Sequence, residues 1–134
     1  MIEYYEGVFS VDNDLGVVVA IPRGISCRRD LFRQYAIGLG APGEYFGHNW
    51  DSFNDCLMDL QWLSAVDVYV VHKEIPEFCI EYKSIYIRII DGASVGWASE
   101  RTDIACIEID NYLIHRLHFL FPAELRGSIE SLSC

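Results

Sequence analysis

The stretch Tyr45–Leu63, YFGHNWDSFNDCLMDLQWL, carries two interleaved periodicities. Trp50, Phe53, Leu57 and Leu60 recur at spacings of three and four, which predicts an amphipathic helix with one core-facing stripe. Asp51, Asp55 and Asp59 recur every four residues and line a different side of that helix. Asn49 is a good N-cap. Before it, Pro42–His48 (PGEYFGH) reads as a loop, because a proline and two glycines break regular structure around its aromatics.

Outward from this segment, strands and helices alternate. Gly16–Ile21 (GVVVAI) is a short β-branched run closed by Pro22 and Gly24, hence a buried strand. Ser26 is placed to cap a helix in which Leu31, Tyr35 and Leu39 recur at helical spacing, with Gly38, Gly40 and Pro42 ending it. Val66–His72 (VDVYVVH) is a second strand, and Pro76 closes its exit. In Ser84–Arg101 the isoleucines suit a strand, yet Tyr86, Ile90, Ala93 and Trp97 repeat at four, three and four, and the length favours a helix. Ile104–Ile109 and Leu113–Phe121 read as strands about an Asp110–Asn111 turn, with Pro122 opening a polar tail. The pattern predicts an α/β fold, one domain over residues 1–134. Its small, mainly parallel sheet is packed with helices, and the last hairpin adds a C-terminal antiparallel edge.

Composition narrows the function. A chain of 134 residues that is 51 % hydrophobic can bury a core without disulfides or metals. Its apolar runs are too short to span a bilayer, and the MIEYYEGVF start lacks the basic flank and apolar stretch of an export signal. Five cysteines, odd in number and without a CxxC pair, suit reduced thiols, so a cytoplasmic location is expected. Twenty acidic against ten basic residues give a net charge of -10, which repels nucleic acid. From Gln34 through His72 there is no Lys or Arg, while Glu44, Asp51, Asp55, Asp59 and Asp67 fall inside.

The acidic ladder works against its own helix. Like charges four apart repel, and Asp55 and Asp59 approach the end where the helix dipole disfavours negative charge. A merely solvated face would more usually intersperse lysine, so a site for a cationic partner is the better reading. Three enzyme readings use the same residues. Acid/base work needs a cleft that separates the two pKa values, which an open helix face does not provide. A Mg²⁺ or Ca²⁺ site on Asp51, Asp55 and Asp59 fails because side chains on a straight helix do not encircle an ion. A Cys56–His48 pair meets the objection that Cys56 adjoins the core stripe. Walker, GxGxxG, GxSxG and HExxH signatures are absent. His115 and His118, three apart in an expected strand, face opposite sides and read as strand-surface residues, not co-ligands. Exposed aromatics beside acids make an interaction site, with no cofactor.

Pro42, the Tyr45-Phe46-Gly47 loop, Asn49, Asp51, Asp55, Cys56 and Leu57 together resemble the barstar family of intracellular inhibitors of secreted bacterial ribonucleases. The resemblance runs from about Gly16 to Trp62. It implies that the helix and its loop plug a ribonuclease active site, acids taking the places of substrate phosphates. On that resemblance Asp55 is the main phosphate mimic, Asp51 a second acid, and Tyr45 with Gly47 part of the docking loop. The expected partner-binding set is Tyr45, Phe46, Gly47, His48, Asp51, Asn54, Asp55 and Asp59. Asn54 stands where the family's best-known member has a tryptophan, and His48 replaces an acid, which implies a ribonuclease other than the familiar one. Near Gly92, where the family can supply another acid, Asp91 is the nearest carboxylate. The implied protein is an immunity protein, with a monomer expected apart from the resemblance and an exposed final strand leaving pairing with another chain open. It binds a ribonuclease toxin with a basic active site and touches neither nucleic acid nor membrane. A non-inhibitory adaptor on the same fold is the alternative, and a small hydrolase or metal enzyme the third reading.

Overall fold

A computed structural model describes residues 2–9, 16–104 and 113–133. Among them lie four strands and four α-helices: β1 (Ile2–Tyr5), β2 (Gly16–Ile21), α1 (Arg28–Leu39), α2 (Trp50–Asp59), β3 (Asp67–His72), α3 (Ile80–Ile104), β4 (Arg116–Pro122) and α4 (Arg126–Leu132). Single 3₁₀ turns occupy Pro42–Glu44 and Ala123–Leu125. The sheet runs β1-β4-β3-β2, and every pair is parallel.

This topology corrects the expected C-terminal edge. β4 is an interior strand, parallel to both neighbours, with Phe119 opposite Ile2 on one side and Val70 on the other. The physical reason is legible in RLHFLFP: Leu117, Phe119, Leu120 and Phe121 are all buried, and a strand covered on both faces reads as a near-continuous apolar run. Ile104, expected to start a strand, is the last residue of α3; the remainder of that expected strand and the Asp110–Asn111 turn lie outside the described residues. The tail after Pro122 is α4, whose Ile129 enters the core. The MIEYYEGVF start holds β1, the edge strand in β4's company.

One apolar core forms between the sheet and its helices. Val19 and Ile21 of β2, Val68 and Val70 of β3, and Leu117, Phe119 and Phe121 of β4 meet Tyr35 of α1, Phe53 of α2 and Tyr86 and Trp97 of α3. The repeat of Tyr86, Ile90, Ala93 and Trp97 forms the buried stripe of α3. α1 begins one residue later than expected: Cys27, not Ser26, takes the N-cap position, and no side chain caps it.

Three buried polar side chains cross this core in a chain. The Tyr35 and Tyr86 hydroxyls are 2.6 Å apart, Tyr86 Oη is 2.6 Å from His72 Nε2, and His72 Nδ1 is 3.0 Å from the Leu120 carbonyl oxygen. A carbonyl oxygen only accepts, so Nδ1–H donates to Leu120. Nε2 then accepts from Tyr86, and Tyr86 from Tyr35. Burial pushes the His72 pKa down to about 3 and both phenols up, so all three groups are neutral.

Candidate functional site

α2 is held at both ends by specific bonds. At its start the Asn49 side-chain oxygen accepts from Ser52 N at 2.8 Å, while Ser52 Oγ accepts from Asn49 N at 3.1 Å and His48 N at 2.9 Å. This capping box satisfies donors that a helix start leaves open, and fixes the angle at which the loop enters. At its other end Trp97 Nε1 donates to the Leu57 carbonyl at 2.9 Å, and His115 Nε2 lies 3.1 Å from the Leu60 carbonyl. His115 is therefore not a strand-surface residue. It is buried, its Nδ1 is 2.6 Å from the Ala65 carbonyl, and Trp97 packs edge-on against its ring.

With both ends fixed, the outer side of α2 is a rigid display. Asp51, Asp55 and Asp59 are exposed and make no ion pair or hydrogen bond with the described residues. Asn54 is half-buried beside Asp51. Phe53, Leu57 and Leu60 fill the core on the opposite side. Trp50 is only half-buried, wedged among Phe32, Phe53, Phe78 and Tyr82, and its buried Nε1 has no hydrogen-bond partner among the described residues.

The loop divides its two aromatics between surface and core. Tyr45 is 50 % exposed and its hydroxyl reaches His48 Nδ1 at 3.1 Å. Phe46, expected at the partner surface, is 2 % exposed: it stacks on Tyr35 at 5.4 Å and meets Phe53 and Trp62 edge-on. The backbone at Tyr45 is extended, and successive side chains of extended backbone point to opposite sides. Phe46 is thus the anchor and Tyr45 the displayed ring. Gly47 follows with φ +98° and lies against the first turn of α2.

Tertiary structure adds cations that the local sequence lacks. Arg88 of α3 shares with Asp51, Asn54 and Trp50 a shallow depression of about 430 Å³. Gly92 lines the same depression, whereas Asp91 lies toward β1: the Tyr4 phenol is raised by burial first, then by Glu130 and in smaller part by Asp91. Arg28 of α1 lies 4.9 Å over the Tyr82 ring and 5.8 Å from the centre of Trp50, tying three helices together. None of these contacts has a sequence-local signal.

The nucleophile reading gains nothing from this geometry. His48 is bonded to Tyr45, and the Cys56 thiol is pushed up by burial and then by Asp59 and Asp55, which keeps it protonated. Among the described residues no group of three or more His, Cys, Asp or Glu is arranged to hold a metal ion. No described helix is long and apolar enough to cross a membrane.

A parallel α/β sheet that presents a braced acidic helix beside an anchored aromatic loop defines a small α/β protein with a preorganised acidic surface. The chain belongs to the Barstar family (barnase inhibitor), whose model matches residues 17–108. That stretch runs from β2 past the end of α3 and contains the loop and α2, leaving β1, β4 and α4 outside. The comparisons with curated proteins and with solved structures returned no match.

Proposed function

We propose that this protein is an immunity protein: it binds a bacterial ribonuclease toxin in the cytoplasm and blocks its active site with α2 and the Tyr45–His48 loop. The observation that carries this reading is the row Asp51, Asp55 and Asp59, exposed and unpaired among the described residues, on a helix braced at both ends. Free carboxylates held rigidly are suited to arginine and lysine side chains that otherwise grip RNA phosphates, and rigidity lowers the entropy lost on binding. Family membership supports the same role, since the family is one of inhibitors. Asp55 is the central phosphate mimic, with Asp51 and Asp59 flanking it and Tyr45, Gly47, His48 and Asn54 completing the contact. The protein acts as a monomer and needs no cofactor or catalysis of its own.

The test is an RNA-cleavage assay of a ribonuclease encoded beside this gene, with the protein titrated in. Stoichiometric inhibition, lost in Asp55→Ala, is the expected result. A folded protein that leaves that enzyme's cleavage untouched would favour the adaptor reading instead.

A further inference from the structure

The first half of α1 concentrates positive charge in an acidic protein. Arg28, Arg29 and Arg33 are three of the ten Lys and Arg residues in the chain. Arg28 is used by the fold, in its stack over Tyr82. Arg29 and Arg33 are not: both are exposed, and neither makes an ion pair or hydrogen bond with the described residues.

Their placement disfavours the isolated helix. They stand four apart and repel each other, and they lie toward the helix N-terminus, where the dipole disfavours cations and only Asp30 offsets them. The last turn, where cations would be favourable, has none. α2 shows the inverse, with Asp55 and Asp59 toward its C-terminal end. Both helices carry charge that is unfavourable in the free protein.

The arginines also have a concave setting. With Arg28, Tyr45, Gly47 and His48 they line a cleft of about 680 Å³ between α1 and the loop, in which three guanidinium groups stand against the one carboxylate of Glu44. One wall of the cleft is thus the loop that leads directly into α2. A protein docked on this loop therefore meets one wall of the cleft.

We propose that the cleft receives an acidic segment of the same ribonuclease that α2 blocks, with the Arg29 and Arg33 guanidinium groups clamping its carboxylates. This rests on the inhibitor reading above. Planar guanidinium forks match carboxylates in bidentate pairs. Phosphates match them too, but a net charge of -10 opposes a nucleic-acid strand. The interface then has two signs, and it selects its partner by both. A ribonuclease with a basic active site but no acidic segment beside it meets unpaired arginines and is rejected.

The test measures binding of the full protein to the ribonuclease encoded beside its gene, for wild type, Asp55→Ala, a neutral Arg29→Gln/Arg33→Gln pair and a reversed Arg29→Glu/Arg33→Glu pair. Reversal makes the protein still more acidic, so if only overall charge mattered its binding to a basic enzyme would tighten. We expect the neutral pair to raise Kd by about tenfold and the reversed pair by more, as for losing charge-assisted hydrogen bonds. Replacing the facing carboxylate of the enzyme by lysine should restore binding of the reversed pair. Both pairs binding like wild type while Asp55→Ala binds weakly would overturn the clamp and leave the inhibitor reading intact. Failure of wild type to bind would sink both. A single-stranded RNA oligonucleotide that binds the free protein, and is lost with the reversed pair, would make the cleft a nucleic-acid site and refute the proposal. Unchanged melting curves of the variants, whose replaced side chains are exposed, confirm that all are folded.

Discussion

Gly47 is packed so closely on the start of α2 that a Cβ added to it would lie 2.6 Å from the backbone nitrogen of Phe53. Its φ of +98° is also one that other residues rarely adopt. Gly47→Ala should therefore force the loop away from α2 and destabilise the protein by about 2–4 kcal/mol, combining backbone strain with overpacking. Gly43, with φ +66° but nothing within 4 Å of its Cβ position, is the control. Gly43→Ala should cost only about 1 kcal/mol. Urea unfolding of the two variants decides it, and equal losses would show that close packing at Gly47 contributes nothing.

Asp55→Ala should leave the fold intact. The side chain is exposed and unpaired, and its removal relieves repulsion from Asp51 and Asp59 worth about 0.2–0.5 kcal/mol per pair. On the proposed inhibitor role its effect falls on binding of the ribonuclease, where loss of a charge-assisted contact should raise Kd about tenfold or more. Calorimetric titration beside a thermal melt separates the two effects. A lower Tm would make Asp55 structural.

Trp50 should tolerate one substitution and resist another. Its Nε1 is buried without a partner, so Trp50→Phe removes no hydrogen bond and keeps a ring among Phe32, Phe53, Phe78 and Tyr82. Trp50→Ala empties that space and should cost about 3 kcal/mol, less than full burial would give because Trp50 is partly exposed. Denaturation midpoints in which Phe is as damaging as Ala would contradict this packing.

Stability should fall on mild acidification because of His72. Its pKa is lowered from 6.5 to about 3 in the folded protein, chiefly by burial. Between those values the unfolded chain binds a proton that the folded chain does not. The contribution is fully present above about pH 6.5 and is lost as pH falls toward 3, at up to about 1.4 kcal/mol per pH unit. Unfolding free energies at pH 7, 6 and 5, before most carboxylates titrate, should show a decline that is shallower in His72→Gln. Parallel profiles for the two proteins would show that His72 is not the source.

Much of the candidate site was legible because α2 separates its two patterns so cleanly. An apolar stripe and an acidic stripe on one helix leave little choice about which faces water, and Asn49 marks where the helix begins. Phe46 was misplaced because a loop gives no periodicity to tell the inward aromatic from the outward one. Its partner Tyr35 lies on another helix. Arg88, Arg28 and the Arg29–Arg33 cleft were invisible for a related reason: they meet the loop and α2 only after α1 and α3 have packed.

β4 shows the same limit in the sheet. Its apolar content announced a strand, but a nearby turn-like dipeptide suggested an antiparallel edge, and nothing local states which strands will flank it. β1 is four residues long and becomes a strand through its pairing with β4. Local propensity and periodicity, properties of neighbours in the chain, determined α1, α2 and α3, the β2 and β3 strands and the acidic display, but not α4, which reads as a polar tail. Tertiary packing alone decided strand order, the burial of His72 and His115 and the placing of arginines beside the Tyr45–His48 loop, because those depend on contacts between residues far apart in sequence.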